Sequence, residues 1–132
     1  MTRVAVFLGL GLLLVASSYA QQNEPRFTGK SVVMEGKDLS AARRSFEAGA
    51  RSYWHSHDNG QLLLVEDGRM RTQKKGGPMK ELGKGESDYT GPKVVHWHGA
   101  AAGQALVQIN VGFGGETRWM EEVTEAEYGG KK

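Results

Sequence analysis

His55-Ser56-His57-Asp58-Asn59-Gly60-Gln61-Leu62-Leu63-Leu64-Val65 is the stretch whose reading decides the fold. In an extended strand, residues i and i+2 point to the same face. His55 and His57 therefore stand side by side. Asp58-Asn59-Gly60 is turn chemistry, and the chain that follows it alternates again. Gln61, Leu63 and Val65 share one face, and Gln61 can return onto the face that His57 occupies. A second pair, His96-Trp97-His98, repeats the arrangement, and the two pairs hold all four histidines of the chain. One HxH pair is weak evidence, since chance or a hydrogen-bonded core pair explains most of them. Two pairs on strand-like segments favour a metal site. Three neutral imidazoles and a carboxamide oxygen make a compact nitrogen/oxygen site for a divalent ion, with room for water.

Outward from this stretch, glycine punctuates the chain. There are 19 glycines, and they cut it into short segments. Strand-like runs lie between them at Ala41–Glu47, Arg51–His57, Gln61–Glu66, Arg69–Lys74, Lys93–His98 and Gln104–Val111. Asp58-Asn59-Gly60 and Asp67-Gly68 read as hairpin turns. Short strands at regular spacing predict an all-β fold, an antiparallel β-barrel or sandwich. One short helix is expected at the end. Thr124-Glu125-Ala126-Glu127 fits a capping box, and Gly129-Gly130 stops it.

The first residues read differently. Met1-Thr2-Arg3 is a short basic start, Val4–Val15 is an apolar and glycine run, and Ser18 and Ala20 are spaced as a small-x-small cleavage site. That is the layout of a secretory signal peptide over residues 1–20. The apolar run is shorter than the roughly 20 residues that cross a bilayer, so cleavage rather than anchoring is expected. With no cysteine in the chain, lipid acylation, disulfides, thiolate ligands and a cysteine nucleophile are excluded. A lone Arg3 before the apolar run excludes the twin-arginine route. The expected organisation is signal peptide 1–20, a linker or arm 21–38, and one folded domain 39–132. The location is secreted or periplasmic. Seventeen Lys and Arg against fifteen Asp and Glu give +2, with the charges interspersed. Arg43-Arg44 and Lys74-Lys75 have no interleaved aromatics, so nucleic acid is not an expected partner.

Gly49-(x5)-His55-x-His57-(x3)-Gln61-(x6)-Gly68 resembles the first cupin motif, with Gln61 where that motif usually has Glu. The second motif is looser, carried by Gly85, Pro92 and His96. HxHxxGQxLxV (His55 to Val65), HWHGAA (His96 to Ala101) and WMExVTxxxY (Trp119 to Tyr128) resemble a narrower group. These are the small single-domain cupins that include the bacterial manganese-dependent hydroxynitrile lyases. The likeness covers Leu39 to Tyr128 and implies the antiparallel β-barrel or jelly roll of cupins. It implies metal ligands at His55, His57, Gln61 and His96, with manganese as the ion and zinc or iron as alternatives. It also implies that His98 lies beside the ion without binding it and serves as an acid/base. The pocket histidine that those lyases carry on the following strand corresponds here to Gln108, which cannot take a proton. They also generally lack a signal peptide.

A bound divalent ion polarises a hydroxyl or carbonyl, and His98 can then exchange the proton. Lyase, isomerase or hydrolytic chemistry on a small oxygenated substrate fits, as does oxygen activation if the ion is iron. Gln61 in place of a carboxylate leaves the site one negative charge poorer, which favours anionic ligands. A secreted cupin that only captures a ligand or a metal is the competing class, and a barrel with a structural ion is a third. Trp97 alternates away from the metal face and is expected to pack between sheets or in a dimer contact. Trp119 and Met120 read as a strand or loop lid packed over the barrel bottom, and Asp88 and Tyr89 as surface loop, with the barrel mouth as the alternative. Open sheet edges favour a homo-oligomer.

Overall fold

In the computed structural model, which describes residues 26–29 and 31–130, eight strands and one helix are present among the described residues. They are β1 (Ser40–Phe46), β2 (His55–His57), β3 (Gln61–Lys74), β4 (Met79–Gly83), β5 (Ser87–Thr90), β6 (His96–Ala100), β7 (Leu106–Gly112), β8 (Thr117–Trp119) and α1 (Glu125–Tyr128). The chain divides into two units, Met1–Glu35 and Gly36–Lys132, and every one of these elements belongs to the second. The expected signal peptide lies outside the described residues, as do residues 21–25 and 30 of the expected linker. Every strand pairing is antiparallel, in the order β1-β7-β3-β6-β2-β8, with β4 and β5 also paired to β3.

The curl of the sheet comes from β3. Its first half, from Gln61, pairs with β7 and β5; its second half, from Arg69, pairs with β4 and β6. Asp67-Gly68 is therefore not the hairpin turn its composition suggests. The strand runs through it with a register shift between Val65 and Asp67. Gly68 has φ +82°, and a Cβ there would collide with the Ala105 carbonyl. The residue skipped by the pairing is Glu66, so a bulge immediately before the turn dipeptide bends one long strand across both halves of the sheet. Asp58-Asn59-Gly60 is a turn, but it is not a hairpin. β2 pairs with β6 and β8, so the turn carries the chain from one half of the sheet to the other.

Two strands, β4 and β5, lie outside the sequence expectations, and β8 resolves the strand-or-loop reading at Trp119 as a strand. β4 (MKELG) and β5 (SDYT) are polar and flank β3, and β8 is three residues long. The expected strand Arg51–His57 is regular only over His55–His57, with an isolated bridge from Arg51 to Gly99. Asp88, expected on a surface loop, is instead buried in β5, 3.4 Å from Lys74 Nζ.

Two apolar clusters hold the sheet. Leu63, Val65, Met70, Ala100 and Leu106 form the first, with Phe46 and Leu82 against it. Trp54, Trp97, Val123 and Tyr128 form the second. Trp54 and Trp97 meet edge to face with ring centroids 6.5 Å apart. Each buries on the order of 150–250 Å² of ring, about 4–6 kcal/mol of gross transfer free energy. The capping box forms as expected. Thr124 N–H donates to Glu127 Oε2 at 2.9 Å, and Glu127 N–H donates to Thr124 Oγ1 at 3.2 Å. The cap places Tyr128 so that its hydroxyl donates to the Ala100 carbonyl at 2.7 Å, fastening the helix to the end of β6.

Candidate metal centre

β2 and β6 are neighbours, and His55 is directly opposite His96. Cross-strand partners on one face bring their side chains together. The His55 and His96 ring centroids are 4.3 Å apart. His57 lies 5.1 Å from His55 and 5.5 Å from His96. His98 lies 5.2 Å from His55 and 5.9 Å from His96. The turn at Asp58-Asn59-Gly60, with Gly60 at φ +89°, delivers Gln61 to the same place, and Gln61 Oε1 is 3.1 Å from His96 Nε2. The two sequence pairs thus converge in one cluster together with the carboxamide. His55, His96 and His98 are buried and offer ligand-capable nitrogens within 4.8 Å of one another.

The hydrogen bonds sort the four rings. His55 Nδ1 faces the Tyr53 carbonyl at 2.9 Å. His96 Nδ1 faces the Val94 carbonyl at 3.2 Å. His57 Nδ1 meets Thr117 Oγ1 at 2.9 Å. A carbonyl can only accept, so the ring proton of His55 and of His96 sits on Nδ1, and the Thr117 hydroxyl can accept from His57 in the same way. Each Nε2 then carries a lone pair, the arrangement that metal-binding histidines use. His98 is the exception. Its Nδ1 is 3.1 Å from Gln108 Nε2, an amide donor, which also donates to Asn110 Oδ1 at 2.6 Å. His98 therefore accepts at Nδ1 and keeps its proton on Nε2.

Two observations test whether these residues suit a cation. His57 Nε2 is buried and has no hydrogen-bond partner among the described residues. Second, His96 Nε2 and Gln61 Oε1 lie 3.1 Å apart, and with the ring proton on Nδ1 toward the Val94 carbonyl both present lone pairs. Two acceptors at that distance repel unless something positive lies between them. Two ligands about 2.1 Å from a shared ion, at right angles, are about 3.0 Å apart. The residues fit a divalent ion.

Burial keeps the rings neutral. It pushes the His55 pKa down to about 4, against the Tyr53 hydrogen bond that raises it. It pushes His96 down to about 3, with His55 adding repulsion. His98 lies well below its ordinary value, again from burial first and then from His55 and His96. His57 is lowered less, since the Gln61 side chain partly offsets its burial. Neutral imidazole is the form that binds metal.

A cavity of about 360 Å³ opens over the cluster, lined among others by His55, His57, Gln61, His98, Ser52 and Asn110. Its upper wall was not legible in the sequence. Thr117 pairs with His57 and Trp119 with His55 across β8 and β2. The Trp119 ring lies 4.7 Å from His55 yet is 65% exposed, so it borders the cavity rather than filling a core. The signal that could have found both is their i, i+2 spacing, which alternation puts on one face. Phe46 stands edge-on to His98 at 6.0 Å and forms an apolar wall. Trp97 is fully buried on the other face, as its alternation predicts.

Known proteins share this architecture. The chain is 37% identical over 93 residues to the (R)-mandelonitrile lyase of Granulicella tundricola, covering 68% of this chain and 71% of that one. A cupin-like protein from Thermotoga maritima superposes with a TM-score of 0.69 at 39% identity, over 72% of this chain and 74% of the other. A conserved protein with a double-stranded β-helix domain from Klebsiella pneumoniae superposes with a TM-score of 0.57 at 23% identity, over 70% and 83%. Residues 42–112, just over half of the chain and the span from β1 to β7, match the cupin domain. Strand order, histidine pairing and sequence agree: the chain belongs to the cupin family.

Proposed function

We propose that the protein is an exported, metal-dependent cupin lyase acting on a small oxygenated substrate, with His55, His57, Gln61 and His96 as ligands and His98 as the proton-exchanging group. The observation that carries the ligand assignment is the tautomer pattern. Three imidazoles are anchored through Nδ1, which leaves Nε2 as the ligand-capable nitrogen, and the fourth is held the other way round. The 37% identity to a mandelonitrile lyase supports the reaction class. Bound at this cluster, a divalent ion would polarise a hydroxyl or carbonyl oxygen of the substrate.

The chain's own residues do the rest. Tyr53 and Val94 carbonyls and the Thr117 hydroxyl fix the ring orientations of His55, His96 and His57. Ser52 Oγ accepts the His98 backbone N–H at 3.1 Å and holds His98 in place. Gln108 donates to His98 Nδ1, so Nε2–H is the group His98 offers to a substrate oxygen. Phe46 and Trp119 give the cavity its apolar sides.

A second reading is a binding module without turnover, and Gln108 favours it. An amide that donates to Nδ1 disfavours protonation there and so disfavours His98 as a base. The ion is manganese by resemblance, with zinc or iron as alternatives. A homo-oligomer is part of the proposal, since β1 is an edge strand with one neighbour among the described residues. The experiment is to titrate Mn²⁺ into metal-free protein and assay mandelonitrile cleavage by wild type and His98→Ala. Metal-dependent cleavage that His98→Ala abolishes supports the lyase. Metal binding with no turnover in either leaves the binding module.

A further inference from the structure

The cavity over the histidine cluster has one charged group with nothing to do. Arg44 lies on β1 opposite Gln108 of β7. Cross-strand partners point to the same face, and Gln108 points at His98. Arg44 lines the same cavity as His55, His57, Gln61 and His98. Its guanidinium makes no hydrogen bond, ion pair or ring contact among the described residues. The neighbouring arginines differ. Arg43 faces the other side of the strand and donates to Glu66, its Nη2 lying 2.7 Å from Oε1. Arg51 also borders the cavity, but it is consumed. Its Nη2 donates to the Val123 carbonyl at 2.9 Å and to Glu125 Oε1 at 2.8 Å, and its guanidinium covers Tyr128.

No carboxylate balances this charge, because no Asp or Glu among the described residues lines the cavity. The histidines are neutral and Gln61 replaces an acid, so a bound divalent ion would keep its full charge. A free guanidinium and an uncompensated cation on one small cavity select a negative charge. One planar guanidinium suits a carboxylate bidentately. The volume of about 360 Å³ and the walls of Phe46 and Trp119 leave room for one aryl or short alkyl group.

We propose that Arg44 is the anion-binding, specificity-determining residue of this cavity, and that the substrate is a small carboxylate with an oxygen on the adjoining carbon. This rests on the metal-site reading only for where that oxygen sits; the carboxylate contact belongs to Arg44.

The test measures binding of mandelate and of mandelamide, its neutral isostere, to metal-free and to manganese-loaded protein by titration calorimetry. Wild type, Arg44→Gln and Arg43→Gln are compared. Wild type is expected to prefer mandelate by at least about tenfold in both forms, the size of a charge-assisted bond gained. Arg44→Gln is expected to lose that preference in metal-free protein, and Arg43→Gln to keep it. Equal affinities in wild type, or a preference that survives Arg44→Gln in metal-free protein, overturns the proposal. If manganese does not bind at all, the metal reading fails, while the metal-free titrations still decide the role of Arg44. Arg44 is exposed and unpaired, so its loss leaves the fold intact, which the melting temperature verifies.

Discussion

Gln108 Nε2 lies 3.1 Å from His98 Nδ1, while the Nδ1 atoms of His55 and His96 face backbone carbonyls. A donor on one side and acceptors on the other force opposite tautomers on rings whose centroids are under 6 Å apart. This difference separates a ring that can ligate through Nε2 from one that presents Nε2–H. In ¹⁵N NMR of metal-free protein at pH 7, His55 and His96 should show Nδ1–H and His98 should show Nε2–H. Gln108→Glu replaces the donor by an acceptor and should switch His98 to Nδ1–H. An unchanged His98 signal in that variant would mean that Gln108 does not set the tautomer.

Thr117 should matter to metal affinity without touching the metal. Its Oγ1 is 2.9 Å from His57 Nδ1, and its side chain is exposed. Thr117→Val keeps the shape and removes the acceptor. Loss of such an anchor costs roughly 10–100-fold in affinity. Competition with a fluorescent chelator should read a weakening of about tenfold, with the melting temperature of the metal-free protein unchanged.

The lowered histidine pKa values predict acid sensitivity. The ordinary value is 6.5, and the folded values are about 4 for His55 and about 3 for His96. Below pH 6.5 the unfolded chain takes up protons that the folded one refuses. Stability is therefore full above pH 6.5 and is lost as pH falls toward about 4 and then about 3. Each of the two rings contributes a slope approaching about 1.4 kcal/mol per pH unit inside that window. Urea unfolding of metal-free protein at pH 7, 6, 5 and 4 measures it. A flat profile would show the rings to be solvated.

Much of the site was legible because strand periodicity is simple. His55, His57, His96 and His98 alternate on strands, and Gln61, Leu63 and Val65 do share one buried face. The capping box at Thr124 is a local motif and formed as read. What was not legible depends on partners distant in sequence. Asp67-Gly68 has turn composition, yet pairing with β7 on one side and β4 and β6 on the other keeps it in one strand. β4 lacks apolar alternation because Lys80 and Glu81 are exposed, and β5 because the residues it buries, Asp88 and Thr90, are polar while Tyr89 is exposed. Thr117 and Trp119 belong to a strand that exists only because β2 pairs with it. Arg44 carries no sequence signal beyond the Arg43-Arg44 pair, and only its register opposite Gln108 brings it to the cavity.

Metal identity follows from where loading occurs. If the leader exports the chain unfolded, the site meets its ion outside the cytoplasm. There the affinity order for three imidazoles favours zinc or copper over manganese. Elemental analysis of protein purified from the exported fraction should show zinc or a mixture. Manganese alone would contradict loading after export.

We propose one divalent ion on His55, His57, Gln61 and His96, with His98 beside it. The direct measurement is a crystal structure of manganese-loaded protein with an anomalous difference map at the manganese edge. One peak per chain is expected, about 2.0–2.2 Å from Nε2 of His55, His57 and His96 and from Gln61 Oε1, with His98 outside bonding distance. A peak bonded to His98 in place of His57, or no peak at saturating manganese, would contradict it.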